Sequence, residues 1–405
     1  MLKSAVYPSL ELAECPYPFY DELRESCPVY EVPGRENEFV VTRHEDVRYV
    51  LGHPELFSNS TEHRIHPELA DVVKSTSSQR WSKSAIAADP PEHTIQRKLI
   101  IPPFTPKRLR EYEPMIQSIV DELIDNVIDD GRMEFFSQFA NIVPIYVTCT
   151  IAGFPRDDLS KLQRWSLSEG TGAKYLAPES QAFQRAIGQE MAAYLEAAIL
   201  ERYENPTDDA TSELIKAQVD RDGEINVPYL VAESRLLLTG GIITTAHMLA
   251  TTMLLLLQNP SQMQMVRDDP SKIPALLEES MRLDAPVQWQ PRRVVEDVEL
   301  SGTQIPAGST LIVVFASANQ DETVFENAKA MDIGRRNVKS QVGFGYGPHF
   351  CLGAPLARLE GKIAFASIFR RLTDIRLDPA QNDFSHLESV TFRGPKAVHI
   401  LFNAA

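Results

Sequence analysis

The chain has 405 residues, 43% of them hydrophobic and 24% charged, a balance that excludes a disordered or low-complexity protein and is rich enough in apolar side chains for a large core. Its net charge of -16 argues against nucleic acid or an anionic membrane surface as the main partner. Four scattered cysteines, Cys15, Cys27, Cys149 and Cys351, are too few for a disulfide framework and point to a reducing compartment.

No linker, charge block or repeat divides the chain, so a single domain over residues 1–405 is expected, with a β-rich N-terminal portion (1–88) and a helical body (89–405). The first ten residues hold no apolar run long enough for a signal peptide or anchor, and a cytoplasmic location is expected. Residues 29–32 and 39–42 read as strands around a turn, and 44–51 as a short helix. At 89–93 the run Asp-Pro-Pro-Glu-His starts a helix in which His93 and Arg97 are four apart and share a face. Pro106 opens a second helix through residue 130, stopped by Gly131. A long helix is expected over 179–203, preceded by a loop at 165–180 with two glycines and a proline.

Residues 236–257 carry no formal charge, which meets the length test for a membrane span. Gly240-Gly241, five threonines, His247 and the lack of flanking basic clusters favour a buried central helix instead, about 48 Å long if it runs from 227 to 258. A helix over 271–283 places Glu279 and Arg282 on one face, ordinarily a surface ion pair. Arg292-Arg293 precede a strand at 294–300, and 311–316 reads as a buried strand.

Three glycines and a proline in residues 344–353 preclude regular structure, and the loop ends on Cys351 at the start of an apolar helical run. Unpaired N–H groups and the helix dipole at that point favour a thiolate, either a metal ligand or a nucleophile with His349 as its base. The spacing Phe344, Gly347, Cys351, Gly353 suits a backbone lying against a flat cofactor.

These four residues resemble the haem-binding signature of the haem-thiolate monooxygenases, the cytochromes P-450, of the soluble bacterial type. The resemblance implies a mainly α fold with small β-sheets, a long central distal helix and a proximal cysteine loop enclosing haem b. Cys351 would be the axial ligand. His93, Arg97, Arg292 and His349 would pair with the haem propionates, Arg293 being the weaker match to the third of these. Glu279 and Arg282 would form a buried structural pair. Its usual third basic partner falls near Ala330, leaving Arg335, Arg336 and Lys329 open. The loop at 165–180 would be a mobile lid.

On the central helix, Gly240 and Gly241 match the family's small pair and Thr244 its threonine, while the acid position is Ile243. Isoleucine cannot relay a proton, so proton delivery for oxygen activation is expected to be atypical. The pocket would be lined by Trp81, Ala85, Ile86, Leu237, Val287, Gln288, Trp289, Gln290, Thr391 and Phe392. The resemblance further implies oxidation of an apolar small molecule with dioxygen by a monomer. Electrons would come from NAD(P)H through a ferredoxin or flavodoxin docked on Lys98, Lys107, Arg108, Arg110, Arg358, Lys362, Arg370 and Arg371. A peroxide-driven or non-oxygenase haem-thiolate enzyme and a non-catalytic haem protein are the alternatives.

Overall fold

The computed structural model describes residues 5–60, 84–166, 175–381 and 384–405. Its axis is the helix Val227–Gln258, bounded as the sequence predicts. Asn226 caps its start, the side chain accepting from the Tyr229 N–H at 3.2 Å, with Pro228 in the first turn where no N–H is needed. The helix is long and apolar enough to cross a membrane, but 72% of its most apolar window is buried, as in a core helix.

Around it pack the helices Pro106–Asp125, Ile142–Ala152, Ile273–Leu283 and Ala354–Arg371, sharing one apolar core that includes Val120, Val147, Leu249, Met253, Leu276 and Phe365. Each such side chain, fully buried, contributes roughly 1.5–3 kcal/mol. A second core lies between the other end of the central helix and the helix Pro178–Glu204, around Ile145, Trp165, Leu195 and Leu238.

The strands are β1 (Val29–Glu31), β2 (Glu38–Val41), β3 (Phe57–Ser58), β4 (Arg132–Glu134), β5 (Trp289–Val294), β6 (Val298–Leu300), β7 (Thr303–Ile305), β8 (Thr310–Val314), β9 (Leu372–Leu377) and β10 (His399–Ala404). They form a five-stranded sheet in the order β1-β2-β8-β5-β3, a three-stranded sheet β4-β10-β9 and the hairpin β6-β7. In the larger sheet β2 runs parallel to β8, pairing Glu38 with Thr310 and Val41 with Val313. The N-terminal strand β2 therefore joins residues 272 positions later. Helices Leu10–Glu14, Tyr17–Ser26 and His44–Gly52 also fill that portion, so it is less β-rich than its strands suggest.

Several predicted boundaries shift. The helix begun at Pro106 ends at Asp125, and a single 3-10 turn, Ile128–Asp130, leads to Gly131 at φ +63. The expected strand 294–300 is two strands, because residues 295–297 leave the ladder. The strand at 311–316 stops at Val314, where the short helix Phe315–Ala318 begins. The helix after the cysteine starts at Ala354, and Trp165 lies in the helix Leu159–Ser166 rather than in the loop.

Glu279 organises the wall behind the cysteine loop. Arg282 donates to both its carboxylate oxygens at 2.8 Å, and Arg335 donates to both at 3.1 and 3.2 Å. Arg335 is thus the third basic partner, while Lys329 pairs with Asp21. The remaining guanidinium N–H groups hold carbonyls of Asn319, Glu326, Ala328 and Ala330, so a segment without regular structure is fixed by one buried charge cluster. The pair read in isolation as a surface salt bridge is wholly buried.

Candidate active site

The cysteine loop is shaped by positive φ at Gly345 (+76) and Gly347 (+71). At Gly347 a Cβ would also collide with the Leu51 carbonyl, so only glycine fits. Gly353 has ordinary backbone; a Cβ there would sit 4.0 Å from the Cys351 sulfur. The Cys351 N–H donates to the Phe344 carbonyl at 2.8 Å, which closes the loop, and the Arg358 guanidinium stacks over the Phe344 ring at 4.5 Å.

Cys351 lines a cavity of about 410 Å³, and its surface is accessible from it. Burial pushes its thiol up, whereas the N–H groups of Gly353 and Ala354 and the charges of Arg97 and Arg358 pull it down. Burial is the largest of these effects, and the N–H groups act in the direction read from the sequence. A bound metal ion deprotonates a coordinating thiol outright.

At the edge of the same cavity, His93 and His349 stack with ring centroids 4.0 Å apart. Arg97, one turn after His93, donates to the Phe350 carbonyl at 2.7 Å. Arg292 is buried, its bond within the chain runs to the carbonyl of neighbouring Pro291 at 2.8 Å, and burial pushes it down to about 10. Asp89 acts on both Arg292 and His93, but its own oxygens already accept from Ser58 and Asn59. His93 Nδ1 has no partner, and burial pushes this imidazole down. Four basic side chains thus converge at the edge of this cavity, an arrangement that fits a ligand bearing carboxylates beside Cys351.

Gly240, Gly241, Ile243, Thr244 and Thr245 of the central helix form the opposite wall. The helix is unbroken there, and the Thr244 hydroxyl donates to the Gly240 carbonyl at 2.5 Å. Gly241 lets Thr148 come close, since a Cβ would stand 3.3 Å from the Thr148 hydroxyl oxygen. Ala85, Ile86, Leu237, Val287, Gln290 and Phe392 line the cavity as expected, and Trp81 lies outside the described residues.

Gln288, Trp289 and Thr391 do not line it. Strand alternation turns Gln290 and Arg292 inward and Trp289 to the opposite core, where its Nε1 donates to the Val390 carbonyl at 2.6 Å. Gln288 is held by Ala285 and Tyr20, and Thr391 is fully buried.

The basic patch is more neutral than its sequence implies. Lys107 and Arg108 pair with Glu111, Arg108 also with Glu213, Arg358 with Glu278, Arg370 with Asp121, and Arg371 with Asp125. Among the described residues, Lys98, Arg110 and Lys362 are exposed without an ion pair.

Sequence reasoning missed two buried acids. Glu233, on the central helix, accepts from the Ala85 N–H at 2.7 Å, tying the cavity segment at Ala85–Ala87 to that helix. Glu360 lines the cavity from the helix Ala354–Arg371, four residues past Leu356, which also lines it; that spacing was the available signal.

The family model described as Cytochrome P450 matches residues 173–392. The chain belongs to this family. It is 34% identical over 384 residues to the vitamin D(3) 25-hydroxylase of Pseudonocardia autotrophica, covering 94% of this chain and 92% of that one. To the mycinamicin IV hydroxylase/epoxidase of Micromonospora griseorubida it is 32% identical over 390 residues, covering 95% and 94%. Among solved structures, CYP109E1 from Bacillus megaterium in complex with testosterone superposes with a TM-score of 0.87 at 28% identity, covering 98% of this chain and 100% of that one. The chain is accordingly an oxygenase with the P-450 fold, of a family that implies haem, and its bacterial relatives oxidise small molecules.

Proposed function

We propose that the protein is a haem-thiolate monooxygenase that hydroxylates an apolar small molecule, with Cys351 as the axial ligand of haem b. The observation that carries this reading is that one cavity brings together a cysteine side chain and four basic side chains, His93, Arg97, Arg292 and His349. When bound, the haem supplies dioxygen activation driven by two electrons. Phe344 and the Gly345–Gly347 backbone would lie against it, and His93, Arg97, Arg292 and His349 would hold its carboxylates. Gly240 and Gly241 leave room for substrate against Ala85, Leu237, Val287 and Phe392, and this apolar wall suits ligands of the class named for the relatives above.

Thr244 orients a hydroxyl oxygen into the cavity as an acceptor, its own hydrogen being held by Gly240. Ile243 offers no proton, so protons reach this wall by another route. Ile243→Asp is expected to raise product per NAD(P)H and lower peroxide release, and unchanged coupling would remove Ile243 from the account. A peroxide-driven enzyme is the second reading, favoured by the same isoleucine; full turnover with hydrogen peroxide and no reductase would establish it.

The protein acts in the cytoplasm as a monomer and takes electrons from a ferredoxin or flavodoxin at the exposed residues Lys98, Arg110 and Lys362. Reversing these three charges is expected to slow reduction by the partner without altering substrate binding. The functional test is a Soret titration of the ferric protein with steroids, terpenoids, macrolides and fatty acids. A low-spin to high-spin shift with one class supports the reading, whereas no shift with any class counts against it.

A further inference from the structure

We propose that Glu233 is a specificity-determining positioning residue: by holding the Ala85 N–H it latches the Ala85–Ala87 wall to the central helix and restricts the cavity to compact ligands. This deepens the monooxygenase reading above and rests on it.

The wall is anchored at two points. Asn59 Nδ2 donates to the Ile86 carbonyl at 3.0 Å, and the Asn59 N–H is itself fixed on Asp89 at 2.7 Å. The second anchor joins two sides of the cavity, the Ala85 N–H donating to Glu233 Oε1 at 2.7 Å. Ala232 and Leu236, before and after Glu233 on the central helix, line the cavity, as do residues 84–87, whereas Glu233 is fully buried behind that surface. The bond therefore sets the spacing of two walls without touching what lies between them.

An acid in this place has a consequence that an amide would not. On its own helix Tyr229 lies one turn earlier, and Arg235 leaves the helix about 200° round from it. Arg221 and Asp222, paired at 2.9 Å at the end of the helix Ala210–Asp222, act on Tyr229. Cys149 and Tyr194, from the helices Ile142–Ala152 and Pro178–Glu204, lie under the influence of Asp158, and His93 of the helix Glu92–Ile100 under that of Arg97 and Asp89. No cation among these offsets the burial of Glu233, which pushes its carboxyl up to about 8. The latched group is thus the neutral acid at pH 7. Released into water it ionises near about 4.3, so unlatching gives up a proton. The latch is at full strength below that value and weakens as pH rises toward the folded one, by up to about tenfold per pH unit. A ligand too large for the latched cavity binds only the unlatched form, and its affinity follows the latch.

The test uses the haem-loaded ferric protein and two azoles that ligate iron through the same kind of nitrogen, compact phenylimidazole and bulky clotrimazole, each followed by its Soret shift. At about pH 6, Glu233→Ala should favour clotrimazole over phenylimidazole about tenfold more than the parent does. Ala85→Pro should do the same, because it deletes the N–H, and proline suits the first residue of a turn that follows extended Ser84 (φ -69, ψ 163). This second variant decides the matter where Glu233→Ala does not fold. Glu233→Gln keeps a neutral acceptor, so it should match the parent at about pH 6 and hold that preference, while the parent drifts toward clotrimazole as pH rises to about 8. The titration of the azoles themselves cancels between the two proteins. A preference within about twofold of the parent in both Glu233→Ala and Ala85→Pro, or the same drift in Glu233→Gln as in the parent, would overturn the proposal; a merely structural glutamate would lower both affinities together. A parent that binds both azoles but lacks the thiolate-type carbon monoxide band would instead remove the monooxygenase reading.

Discussion

The two walls of the cavity are built on opposite principles. Behind the cysteine loop, polar atoms are matched: Glu279 meets two arginines, and those arginines meet the carbonyls of the 319–335 segment. On the opposite wall, formed by the central helix, Thr244 is held only by its own helix. The matched wall fixes the position of the sulfur. The open wall leaves groups free to act on what enters, which is where buried unpaired polar atoms earn a functional explanation.

The sharpest way to break this contrast is to unmatch the first wall. Arg335→Ala removes one guanidinium from a fully buried carboxylate and is expected to cost about 3–5 kcal/mol in denaturant unfolding. A cost under about 1 kcal/mol would show that the wall does not depend on the cluster. Gly347→Ala asks less of the fold: the strain of positive φ is roughly 1–3 kcal/mol, to which contact with Leu51 adds. It should also reduce haem retention, because the loop must shift.

Glu233 gives the most graded test, with a small effect per pH unit. Burial pushes its carboxyl up to about 8, against about 4.3 for an unfolded chain. Its stabilising contribution is complete below the unfolded value and is lost as pH rises toward the folded one, because the unfolded chain gives up the proton first. Glu233→Gln should therefore lose less stability than the parent between those values, by up to about 1.4 kcal/mol per pH unit. Parallel pH profiles for the two proteins would contradict this.

What was legible in the sequence depended on how locally each feature is encoded. The central helix was legible through its uncharged run over residues 236–257, and the cysteine loop through glycines that the backbone requires. The basic cluster at the cavity edge was legible only through the family resemblance, since His93 and Arg292 lie 199 positions apart. Features made by convergence were the ones missed. Arg335 reaches Glu279 across 56 residues through a segment with no periodicity, and nothing local separates it from Arg336 or Lys329. Trp289 was placed in the pocket because its neighbours are there, whereas the strand turns alternate side chains to opposite faces. The ion pairs that neutralise the basic patch join helices distant in sequence, so counting lysines and arginines overstated its charge.

The most direct test of the central claim is the reduced carbon monoxide spectrum of the haem-loaded protein beside that of Cys351→Ser. The account predicts a thiolate-shifted Soret band in the parent that is lost in the variant. A parent without that band, or a variant that keeps it, would contradict the assignment of Cys351 as the axial ligand.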